Sequence, residues 1–108
     1  MSTTRKTPQF RKLGTGGDIY DWISQLQTHF EALGLWEHVQ DDAEIEVAED
    51  DEDTPEMYDA RCRRDILLSL HKDVSTSIRH LQSSHQMFTR VKKIFVGSIP
   101  SEKRKLKR

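Results

Sequence analysis

At 108 residues the chain has room for one domain and too little for two comfortable ones. Hydrophobic residues make up 34% and charged residues 32%, a lean composition that implies a small core with solvated segments beside it. One cysteine excludes an internal disulfide framework; with no apolar run of membrane-helix length and no signal-peptide core, the expectation is a soluble, cytoplasmic protein with no membrane contact.

The formal net charge of -1 conceals a segregation. Residues 1–40 hold four basic and four acidic side chains, whereas residues 41–56 hold ten acidic and none basic. Residues 57–100 hold eight basic against three acidic, and residues 101–108 five against one. Such polarity points to partners or tails before it points to an active site.

Residues 1–12, MSTTRKTPQFRK, lack periodicity and read as a basic flexible arm able to dock through Phe10 and Leu13. Gly14, Gly16 and Gly17 then interrupt regular structure, and residues 13–98 form the expected helical domain. Ile19, Trp22, Ile23, Leu26, Phe30 and Leu33 follow a 3.6-residue period for four turns and predict one inward stripe. Asp18 suits the N-cap and Gly34 the left-handed position past the C-terminus, after which a short turn over residues 35–39 brings Trp36 onto the same core.

Residues 40–54 form an acidic loop expected to be mobile, because its carboxylates repel one another and only Ile45 and Val47 offer local anchors. Thr54, Pro55 and Glu56 together signal a helix start, and a helix to about residue 70 is predicted with Met57, Ala60, Ile66, Leu67 and Leu70 inward. Asp73 is a candidate cap for a fourth helix carrying Val74, Ile78 and Leu81. Ser83 or Ser84 caps a fifth, with Met87, Phe88, Val91, Ile94 and Phe95 on its apolar side and Gly97 at its end. No strand pattern competes, so the fold class is all-α: a small bundle of about five short helices.

The five histidines show no HExxH or Cys/His ligand spacing, and no cofactor or metal is expected. Cys62 has arginines beside it that could lower its pKa but no neighbouring base, so a structural thiol is favoured over a nucleophile. The acidic block lacks the alternating ligands and central glycine of a calcium loop, leaving a solvated linker or a docking surface for a basic partner or the chain's own C-terminus. The basic tail, residues 99–108, concentrates Lys103, Arg104, Lys105, Lys107 and Arg108, a run suited to phosphate contact by counterion release and compatible with nuclear entry.

Leu13-Gly14, Tyr20-x-Trp22, Leu26, Phe30, Leu35-Trp36 and Val39 resemble the opening LxG…YxxW…L…LW…V block of Gag proteins of copia-type LTR retrotransposons. Ala60, Ile66, Leu70, Val74 and Ile78, followed by QMFTRVKKIF, resemble that family's second block, with Phe88 where its tryptophan usually stands and Phe95 in place of its tyrosine. The resemblance spans residues 10–98 and implies a fold like the capsid N-terminal domain. It also implies a structural, non-enzymatic module, in truncated or host-retained form or within a longer polyprotein, that self-associates with copies of itself or other Gag chains around RNA. No small-molecule substrate is expected. The alternative is a small nucleic-acid-binding or adaptor protein acting through its basic tails. The structural core expected is Ile19, Trp22, Ile23, Leu26, Phe30, Leu33, Trp36, Ile66, Leu70, Ile78, Phe88, Val91 and Phe95.

Overall fold

The computed structural model describes residues 9–96, which form five α-helices and, among the described residues, no strand. They are α1 (Ile19–Leu33), α2 (Trp36–Asp41), α3 (Pro55–Leu68), α4 (Lys72–Ile78) and α5 (Ser84–Val96). The all-α bundle expected from periodicity is therefore the observed fold. Helix α5 packs against each of the other four.

Both ends of α1 follow from local chemistry. The Asp18 carboxylate accepts from the amides of Tyr20 at 3.0 Å and Asp21 at 3.4 Å, satisfying two of the free donors of the first turn. At the other end Gly34 takes φ 75°; its amide donates to Glu31 O and that of Leu35 to Phe30 O, the paired bonds of a Schellman ending. This turn lays Leu35 and Trp36 against the core. Thr54 caps α3 through its hydroxyl, which accepts from the Met57 amide at 3.2 Å, with Pro55 in the first turn where its missing N–H costs nothing.

The core contains Trp22, Leu26, Phe30, Val39, Ile66, Ile78, Met87, Phe88 and Val91, with Cys62 and Leu70 beside them. Ile23, Trp36 and Phe95 are half-buried against it. Phe88 is the meeting point of the aromatics: its ring stacks on Trp22 at 5.6 Å between centroids and meets Trp36 edge to face at 5.3 Å.

Four expectations are corrected. Leu33, the last residue of α1, is 54% exposed: the chain reverses at Gly34 immediately after it, and burial on this stripe ends at Phe30. Met57 and Ala60 are also exposed: over the first two turns of α3 the inward side carries the half-buried Tyr58 and Asp59 instead, and full burial on that helix begins at Cys62. Helix α3 stops at Leu68 rather than near residue 70, because Ser69 and Leu70 enter a clip with the N-terminal segment. There Leu13 N donates to Ser69 O at 3.0 Å and His71 N to Leu13 O at 2.9 Å. Asp73 does not cap α4: the helix begins at Lys72, and Asp73 in its first turn accepts from the Thr15 hydroxyl at 2.7 Å.

The described end of the arm is docked. Leu13 is buried, Phe10 meets His29 edge to face, and Arg11 pairs with Asp21 at 2.7 Å while exchanging backbone bonds with the Gln25 amide. Gly97, Pro100 and the tail residues Lys103, Arg104, Lys105, Lys107 and Arg108 lie outside the described residues.

Candidate interaction surface

Among the described residues the side chain with the most hydrogen bonds is Asp59, on the second turn of α3. Its Oδ1 accepts from His38 Nε2 at 2.7 Å, from Ser84 N at 3.0 Å and from Ser84 Oγ at 2.7 Å, while Oδ2 accepts from Arg63 Nε one turn along the helix at 3.0 Å. Helices α2, α3 and α5 are thus tied at one carboxylate. Burial alone would raise the Asp59 pKa, but the bonds from Ser84, His38 and Arg63 outweigh it and hold the carboxyl below its usual range.

His38 carries the tie further. Its Nδ1 stands 2.7 Å from Ala43 O, so one imidazole bridges the α3 carboxylate and the first residues of the acidic segment. The Ser84 hydroxyl donates to the carboxylate rather than to this imidazole, so the three side chains do not stand as a nucleophile and its base.

Cys62 lies beneath this network. Burial first, then the nearby Asp59 and Asp65, push its thiol up to about 12, which makes it a neutral packing group at neutral pH. Asp65 is buried and accepts from Arg64 while pairing with His29 Nε2 at 2.8 Å. Among the described residues no group of three or more His, Cys, Asp or Glu is placed to hold a metal ion. Nor, among them, is any helix long and apolar enough to cross a membrane.

The acidic segment, expected as a loop over residues 40–54, is irregular from residue 42 onward because residues 40 and 41 belong to α2, and it is fastened at both ends. Ala43 is held by His38; Asp51 accepts from the Tyr58 hydroxyl at 2.9 Å; Asp53 pairs with Arg61 at 2.8 Å. Ile45 and Val47 are the half-buried anchors. Strapped down in this way, the segment forms one wall of an open groove of about 720 Å³ against the α1–α2 turn. Leu33, Leu35, Ile45 and Tyr58 give its apolar lining, and Glu37, Glu44 and Glu46 its charged rim.

Sequence reasoning identified Ile45 as an anchor from its isolation among carboxylates. It missed the tie of His38, Asp59 and Ser84, whose members are far apart in the chain and share no spacing that marks them. It placed Leu33 in the core, and the structure places it in this groove. Compared with known families, with curated proteins and with solved structures, the chain finds no match in any of the three.

Proposed function

We propose that the chain is a structural, non-enzymatic, Gag-like module that self-associates through its helix faces, with the basic tail contacting RNA. The observation that supports this reading is the convergence of the two Gag-like blocks on one aromatic centre. Trp22 and Trp36 from the first block both pack on Phe88 from the second, at the position where the family's own aromatic usually stands. Every large residue of that centre faces inward, so contacts with other molecules fall to the outer helix faces and the strapped acidic segment.

Light scattering on the 108-residue chain across a concentration series tests the reading: the mean mass should grow with concentration. A profile that stays monomeric at high micromolar concentration contradicts autonomous assembly. The second reading, a nucleic-acid-binding adaptor, draws on the basic run at residues 103–108. It requires RNA or DNA affinity that falls steeply with salt, and a shallower slope when residues 101–108 are deleted.

A further inference from the structure

Two exposed patches on the described surface are complementary in shape of chemistry. The first is the groove at the α1–α2 turn, where Leu33 is 54% exposed above Leu35 and Ile45 and is rimmed by Glu37, Glu44 and Glu46. Asp51, Asp53, Asp59 and Asp65 each accept a bond from a neighbouring side chain, but these three glutamates have no cationic partner among the described residues.

The second patch is the outer face of the C-terminal half of α5. Arg90, Lys93 and Ile94 stand three and four residues apart and therefore share a face, while Val96, two residues past Ile94, stands on another side of the helix. Ile94 is 43% and Val96 39% exposed, and Arg90 and Lys93 have no anionic partner among the described residues. Lys92, by contrast, is engaged over the Phe88 ring at 4.8 Å. One patch is apolar with an unpaired acidic rim; the other is apolar with unpaired bases.

We propose that the α1–α2 groove of one copy receives the Arg90, Lys93 and Ile94 face of α5 from a second copy, the apolar side chains meeting at the centre and the charges pairing at the rim. This rests on the self-association reading and names the surfaces that carry it. The two patches are different surfaces of one molecule, so the contact either repeats from copy to copy or is made twice in a two-fold pair.

A charge-exchange experiment on the full chain tests the contact by sedimentation. A groove variant (Glu44→Lys with Glu46→Lys) and a helix variant (Arg90→Glu with Lys93→Glu) each place like charges opposite one another. Each alone should weaken self-association by about tenfold or more. Mixed in equal amounts, they should associate with each other, because the reversed groove matches the reversed helix. The substitutions lie at exposed positions, and a pair of uncharged variants, Leu33→Ser and Ile94→Ser, should weaken association without any charge reversal.

Variants that associate as the parent does, or a mixture that fails to recover, would overturn the proposed contact while leaving self-association standing. Loss of association on deleting residues 101–108, with the helix variant unaffected, would assign the groove to the basic tail instead. A parent chain that is monomeric throughout would overturn both readings.

Discussion

The indole N–H of Trp22 donates to the Ser69 hydroxyl at 2.8 Å, joining α1 to the end of α3 across 47 positions of chain where both side chains are buried. Ser69 in turn donates to Ile66 O at 2.6 Å, and its carbonyl accepts from Leu13 N. A tryptophan can be wholly enclosed here because its one donor is satisfied.

Ser69→Ala removes the acceptor and leaves the buried indole N–H unpaired, so it should cost about 1–3 kcal/mol of stability. Chemical denaturation should show a lower midpoint with an unchanged slope. Ser24→Ala, at an exposed position of α1, serves as the control and should move stability by less than about 0.5 kcal/mol. A similarly small effect of Ser69→Ala would mean that the hydrogen bond contributes nothing net.

Acid should loosen the tie at Asp59. A carboxyl whose folded pKa lies below its ordinary 3.8 stabilises the fold fully above that value, and this contribution is lost as pH falls through the lowered folded value. Denaturation measured from neutral pH down to about pH 2 should therefore show stability falling below about pH 4. In Asp59→Asn part of that fall should be missing and the neutral-pH stability should be lower, while Asp21, Asp51 and Asp73, also held below their usual range, keep the remainder. Identical acid profiles for parent and variant would show that Asp59 is not a source of the pH dependence.

The legible parts of this molecule were those where one helix face meets the core and the termini carry their own capping chemistry. Helix α1 is the clearest case: Asp18, the Trp22 to Phe30 stripe and Gly34 all appear where spacing puts them. Helix α3 was harder, because its buried residues include Cys62 and Asp65, with Ser69 buried just past its end, which no apolar periodicity marks, while Met57 and Ala60 face outward. Leu33 continues the α1 period perfectly yet is 54% exposed; periodicity reports the face a residue occupies and not whether the bundle extends that far. The His38, Asp59 and Ser84 tie depends on the docking of three helices, information that local spacing does not hold.

Leu33 and Phe30, one turn apart on the same stripe, should respond oppositely. Phe30→Ala opens a cavity in the core and should cost about 3–5 kcal/mol, a large share of the stability of so small a domain. Leu33→Ser should change stability by less than about 0.5 kcal/mol, as is usual for exposed positions, while weakening self-association. Thermal melting separates the two; comparable losses of stability would show that Leu33 is packed.

Cys62 should be chemically silent in the folded chain. With its thiol buried and pushed up to about 12, a thiol reagent at neutral pH should label it only as fast as the fold opens, and labelling should become rapid in denaturant. The sign of the shift also implies that stability falls as pH rises above about 9, where the unfolded thiol ionises and the folded one does not. Rapid labelling under native conditions would contradict the buried assignment.

Sedimentation velocity of the 108-residue chain, from low to high micromolar concentration at neutral pH, decides whether the module self-associates. A self-associating module should sediment faster as concentration rises, and added salt should reduce that dependence if paired charges at the rim contribute to the contact. A single monomeric boundary at every concentration and salt would contradict it.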